Sequence, residues 1–211
     1  MACGTTNDNS GSEDGQGSAG DLANCELHTS PAKARVRFPK LAELIDYLGS
    51  LERRADLAVL SHLLGKLDVT RADVASACAF GVNGYRRNVL AASAHFELLA
   101  LTWRSGHCTP IHDHEGVSCA FKIVEGVGTE IRFTKTPSGL ICPVGSCPMP
   151  QGYICAAEEN DIHQVANMQA PGQDLITLHI YSPRIAKMNV YTFACSEGAE
   201  RNTPADASLY A

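Results

Sequence analysis

Two hydrophobic rhythms divide the chain near residue 84. Before it, apolar residues recur at helical spacing, and Leu41, Leu44, Ile45 and Leu48 predict an amphipathic helix over 40–49. Leu57, Leu60, Leu63 and Leu64 predict a second helix over 52–65, with Gly65 as its stop. Thr70 followed by Asp73 predicts the cap of a third, short helix that includes Val74 and Cys78. From residue 84 onward, short β-rich runs alternate with Gly, Pro, Asn and Asp. They predict strands over 84–90, 95–103, 117–124, 128–134, 139–142, 152–157, 162–166, 174–181 and 189–194. Many short strands at close spacing imply a sandwich or barrel. The fold class is therefore mostly β, a barrel with an N-terminal helical lead.

The ends follow a different pattern. Residues 1 to about 30 are rich in Gly, Ser, Asn and Asp, with almost no large apolar side chains, and cannot offset their ordering entropy. They are expected to be disordered, with order beginning near Pro39. The expected organisation is a tail over 1–30, a helical lead packed on the barrel over 31–80, the barrel over 81–196 and a loose polar tail over 197–211, with 31–196 forming one domain.

Composition narrows the partners. The chain is 45% hydrophobic and 19% charged, an ordinary globular balance. Its net charge of -6 argues against nucleic acid or an anionic membrane surface, because phosphate neutralisation needs clustered Lys and Arg. No run approaches the roughly 20 apolar residues that span a bilayer. No basic region followed by an apolar core marks a secretory signal. Nine cysteines without such a signal read as thiols in a reducing cytoplasm rather than a disulfide framework. Cys142, Cys147 and Cys155 lack CxxC spacing and a fourth ligand nearby, so they read as small buried or loop residues, not a metal site.

The chemistry gathers in two segments, one from Gly106 through His112, Asp113, His114 and Cys119 to Gly126, the other from Gly152 through His163 to Asn167. On a strand, residues two apart face the same side, so His112 and His114 project together. His163, from a neighbouring strand, completes a facial set for one metal ion. A lone His is most simply a satisfied core or surface residue. An HxH pair with a third His about fifty residues on, and glycines at the turns, is far more specific. Asp113 points the other way and reads as a turn or supporting residue. Thr177, His179 and Tyr181 alternate with Leu178 and Ile180, which puts the polar three on one face of a strand.

These segments resemble the two cupin motifs, G-x5-HxH-x4-E-x6-G and G-x5-PxG-x2-H-x3-N. Gly106, Gly126, Gly152, the three His and Asn167 fall in place. Glu158 and Asn160 replace the Pro and Gly of the second motif, and Cys119 replaces the glutamate ligand of the first. The resemblance implies a cupin (small jelly-roll-like) β-barrel. Within it, the chain from about 84 to 194 resembles cysteine dioxygenase. The matching stretches are Tyr85-Arg-Arg87-Asn88, Trp103 with Gly106 and His107, Ile111-His-Asp-His114, Cys119, His163-Gln-Val with Asn167, and Thr177-Leu-His179-Ile-Tyr181-Ser-Pro183.

That resemblance implies one Fe(II) per chain on His112, His114 and His163. It implies that Arg87 and Tyr85 hold a substrate carboxylate, that Tyr181 and His179 act in catalysis with Trp103 and Thr177 behind them, and that Cys119 and Tyr181 can join as a thioether. It also implies a cis Ser182–Pro183 bond, a monomer, and a reaction of O2 with L-cysteine to give L-cysteine sulfinic acid. Three alternatives stand beside it: dioxygenation of another small thiol such as 3-mercaptopropionate, a non-catalytic metal-binding cupin, and a zinc or manganese isomerase or hydrolase. The last usually keeps the carboxylate ligand that Cys119 replaces.

Overall fold

The computed structural model describes residues 30–114, 117–157, 161–185, 187–192 and 201–204. The expected tail over 1–30, apart from Ser30, lies outside the described residues, as do Glu158 and Asn160.

Helix α1 spans Pro31–Arg37, earlier than the expected start of order; its buried residue is Ala34, too little to register as a periodic stripe. Helix α2 spans Ala42–Gly49 and buries Leu44, Ile45 and Leu48. Helix α3 spans Leu57–Lys66 rather than 52–65, because Asp56 caps it: its carboxylate accepts the N–H groups of Ala58 at 2.8 Å and Val59 at 3.2 Å. Helix α4, Arg71–Val74, starts in a capping box between Thr70 and Asp73. No helix among the described residues is long and apolar enough to cross a membrane.

The strands are β1 Arg86–Ala92, β2 Glu97–Trp103, β3 Ile111–His112, β4 Ser118–Glu125, β5 Gly128–Lys135, β6 Ile141–Met149, β7 Ile154–Ala157, β8 Ile162–Ala166, β9 Leu175–Ser182, β10 Lys187–Tyr191 and β11 Arg201–Pro204. Two sheets form, ordered β1-β2-β9-β4-β7 and β11-β10-β3-β8-β5-β6, with antiparallel pairing throughout. They face each other across a shared core, as in the expected barrel. Strand β6 runs well past the expected 139–142 despite Pro143 and Pro148, because it is an edge strand, where a missing N–H costs no ladder bond. Strand β3 is too short to show a pattern, and β11 lies within the stretch expected to be a loose tail. The turn from β4 to β5 needs Gly126: its φ is +82°, and an added Cβ would come within 2.4 Å of the Asp174 carbonyl oxygen.

The central strands of the first sheet, β2, β4 and β9, are buried on both faces. Its outer side chains, including Leu98, Ala100, Ala120, Leu178 and Ile180, pack under Leu44, Ile45, Leu48, Leu60 and Leu64 of the helical lead. Its inner side chains, including Leu99, Leu101, Trp103, Phe121 and Tyr181, pack with Val165 of the second sheet. All eight residues of β9 are therefore buried, and its polar face looks into the barrel, not into water.

Lys122 reaches out of this sheet to the C-terminal end of α3, where its Nζ donates to the carbonyls of Leu64, at 2.9 Å, and Leu67. Replacing Lys122 with Met keeps the stem but leaves those carbonyls without their donor. It is expected to lower unfolding free energy by about 1–3 kcal/mol in urea titration; unchanged stability would show that water caps the helix equally well.

Candidate metal centre

Antiparallel pairing of β3 with β8 sets His112 directly opposite His163. His114 follows just past the end of β3, yet its ring turns to the same side. The three rings meet edge to face with centroids 4.6 to 4.8 Å apart, and one nitrogen of each lies within 4.8 Å of the others. All three are buried. Among the described residues this is the cluster that could hold a metal ion, and Cys142, Cys147 and Cys155 form none.

Hydrogen bonds outside the cluster orient these rings. His112 Nδ1 donates to the Pro110 carbonyl and His163 Nδ1 to the Asp161 carbonyl, each at 3.0 Å. Each leaves an Nε2 lone pair aimed inward. The Nε2 atoms of His112 and His114 stand 3.0 Å apart, the edge expected for two neighbouring ligands each about 2.1 Å from a single ion. The donor set thus fits a metal that accepts imidazole, three from the protein with positions left open. Asp113 faces the opposite way: it accepts from Asn189 Nδ2 at 3.2 Å and from the Tyr191 hydroxyl at 2.6 Å, tying this segment to β10.

Burial also favours the neutral form of two of these rings. It pushes His112 down to about 3, with the neighbouring His163 adding to the effect, and holds His114 well below the ordinary imidazole range. Neutral imidazole is the form that binds metal.

The rings open onto a narrow cavity. Tyr85, Arg87, Trp103, His179 and Tyr181 also line it. Tyr85 stacks on Trp103 with centroids 4.4 Å apart, and the Trp103 indole N–H donates to Thr177 Oγ1 at 3.4 Å. His179 stacks on Phe121, and its Nδ1 lies 3.2 Å from the Tyr181 hydroxyl. Burial pushes His179 down to about 3 and Tyr181 well above 10.0. Cys119 does not line the cavity but is the register partner of Tyr181 across the β4–β9 ladder. The Ser182–Pro183 bond is cis.

Sequence reading passed over one residue here. Glu97, 8% exposed, accepts from Arg87 Nη2 at 2.8 Å. Its signal was a single acid at the head of the otherwise apolar stretch Leu98-Leu-Ala-Leu101.

A family model described as cysteine dioxygenase type I matches residues 28–193. A curated relative, cysteine dioxygenase type 1 of Danio rerio, is 30% identical over 105 residues, covering 47% of this chain and 51% of that protein. The match thus spans about half the length of this relative. Among solved structures, an uncharacterized conserved protein with a double-stranded β-helix domain from Klebsiella pneumoniae aligns with a TM-score of 0.44 and 14% identity, covering 56% of this chain and 87% of that one. A sugar phosphate isomerase of the cupin superfamily from Silicibacter pomeroyi aligns with a TM-score of 0.41 and 15% identity, covering 63% and 75%.

The buried imidazoles predict the pH dependence of the metal-free protein. Between about 3 and the ordinary 6.5, an unfolded chain binds protons at His112 and His179 that the folded chain refuses. Stability is therefore present above 6.5 and is lost as pH falls through that window. Urea midpoints from pH 7.5 to 4.5 should show this loss, and His179→Phe should flatten it. A midpoint that rises on acidification would contradict the assignment.

Proposed function

The chain belongs to the cysteine dioxygenase type I family, and on that premise we propose that it is an Fe(II)-dependent dioxygenase converting L-cysteine to L-cysteine sulfinic acid. The observation that carries this reading is the donor set: three imidazoles with no carboxylate beside them among the described residues, and a guanidinium on the same cavity wall. A carboxylate ligand would offset the metal's charge. Its replacement by Cys119 makes physical sense if the substrate itself brings the negative charge, as a thiolate does. When bound, Fe(II) supplies that charge and the electrons that make dioxygen reactive toward sulfur.

The rest is the work of the chain. Arg87 offers the substrate carboxylate the N–H groups that Glu97 does not engage, and Tyr85, held by its stack on Trp103, closes that end. His179 fixes the Tyr181 hydroxyl, which faces the reacting sulfur. Thr177 holds Trp103 in turn. The apolar walls, Leu101, Val165 and Ile185 among them, limit the water that competes for the substrate. The reaction balances without a further reductant: a thiol and one O2 give a sulfinic acid, both oxygens ending on sulfur.

Cys119 and Tyr181, as register partners, have Cβ atoms at cross-strand contact distance, which supports a thioether between them that locks the Tyr181 ring. Arg87 favours cysteine over 3-mercaptopropionate, because relatives acting on the acid without the amine tend to differ there. The same reading makes the protein a cytoplasmic monomer whose partners are a small thiol and O2.

Iron-loaded protein given equal L-cysteine and 3-mercaptopropionate in air is expected to yield mainly cysteine sulfinate by mass spectrometry. Mainly the other sulfinate would keep the metal centre and change the substrate; neither product, with iron verified in the protein, would favour a binding module. Replacing Arg87 with Gln is expected to raise KM for L-cysteine roughly tenfold to hundredfold, the loss of a charge-assisted hydrogen bond. An unchanged KM would remove its assigned role. After turnover, digests should contain the peptides of Cys119 and Tyr181 joined, lighter by two hydrogens than their sum.

A further inference from the structure

Glu97 is a carboxylate where β2 is otherwise apolar or neutral. It points to the inner face of the sheet, in register with Tyr181 and, through Tyr181, with Cys119. A buried carboxylate is costly without a partner. Its partner is Arg87, with side-chain exposures of 15% for Arg87 and 11% for Glu97. A second guanidinium approaches the other carboxylate oxygen: Arg184 Nη2 lies 3.9 Å from Glu97 Oε1. Arg184 sits just after β9, beside Ile185 of the cavity wall.

Arg87 and Glu97 are not neighbours in the ladder. Arg87 stands opposite Leu101, and Glu97 opposite Ala92. Four residues of β2 separate the two rows, about 13 Å along the strand. Two long side chains must extend toward each other along the inner face to meet. Their ion pair therefore sets a direction. It draws the guanidinium out of its own row and toward that of Tyr181, where Arg87 Cζ lies 5.6 Å from the Tyr181 ring centroid. Without Glu97, the face of the Tyr181 ring is the contact left to the extended arginine in that row, and rotamer freedom returns to it.

We infer that Glu97 is a positioning residue that holds Arg87 extended along the cavity wall, and thereby makes the site prefer thiols that carry a carboxylate. The inference rests on the reading of Arg87 as the substrate's carboxylate partner. One Nη is committed to Glu97, and the other N–H groups remain for the ligand. A positioned fork loses less freedom on binding than a mobile one.

The test is anaerobic binding to iron-loaded protein, by calorimetry, of L-cysteine and of cysteamine, which has the same thiol and amine but no carboxylate. Glu97→Ala is expected to weaken L-cysteine roughly tenfold and to leave cysteamine within about twofold of wild type. Glu97→Gln keeps an acceptor of the same reach and should recover most of the loss. Glu97→Asp keeps the charge but falls one methylene short, and should weaken L-cysteine alone; these two variants carry the test if the alanine variant does not fold. The double variant Arg87→Gln, Glu97→Ala should bind L-cysteine no worse than Arg87→Gln alone, because Glu97 acts through Arg87. Weakening by Arg87→Gln with none from Glu97→Ala or Glu97→Asp would overturn the inference and leave the proposed function standing. Equal loss of both thiols in the Glu97 variants would overturn it in favour of a purely structural role. Unchanged L-cysteine binding in Arg87→Gln would instead sink the carboxylate reading on which it rests.

Discussion

A buried imidazole is tolerated while neutral and resisted once charged. Three imidazoles converge between β3, β8 and the turn after β3, and the features of the site follow from burying them and keeping them aimed. The Pro110 and Asp161 carbonyls spend the outer nitrogens of two rings on hydrogen bonds and leave inner lone pairs. The apolar barrel wall withholds the water that would stabilise a proton on them. The result is a set of donors that carries no charge of its own, and a metal held there keeps its full charge for a ligand. Arg87 adds a second positive group a short distance away, tempered by Glu97. An anionic thiol with an anionic tail is the complement of that arrangement.

Such a site needs a rigid wall, and the helical lead provides one. The first sheet carries His179, Tyr181, Arg87 and Glu97 on its inner side, and its outer side would be an apolar surface in water without α2 and α3. Lys122 and Ser182 tie the two layers together. Ser182 Oγ accepts the Ala55 N–H at 2.9 Å and donates to the His95 carbonyl at 2.8 Å, directly after the residue that presents the tyrosine hydroxyl. The lead thus acts on the chemistry only through the sheet it covers.

Much of this was legible in the sequence, for local reasons. The spacing of His112 and His114 is a two-residue period, and the strands of the first sheet announce themselves as apolar runs between turns. What escaped was non-local or short. Strand β3 is two residues long, and its identity depends on pairing with β8 about fifty residues on. The extension of β6 through two prolines depends on its place at a sheet edge. The start of α3 turned on one capping carboxylate, Asp56, hidden among other polar residues. That Cys119 stands beside Tyr181 is a matter of register between β4 and β9, which no local pattern encodes and to which the family resemblance alone pointed. Glu97 was missed because a lone acid at a strand end reads as a solvated charge until Arg87 is seen stretched along the sheet to meet it.

The central claim is that a three-histidine centre on this chain transfers both atoms of dioxygen to a thiol sulfur. Turnover of L-cysteine by the iron-loaded protein under isotopically labelled O2 in unlabelled water tests it most directly. The account predicts a sulfinate in which both oxygens carry the label. A product with one labelled oxygen, or with none, would mean that sulfur is oxidised stepwise through a hydrolysed species, and would contradict the mechanism even if the substrate were right.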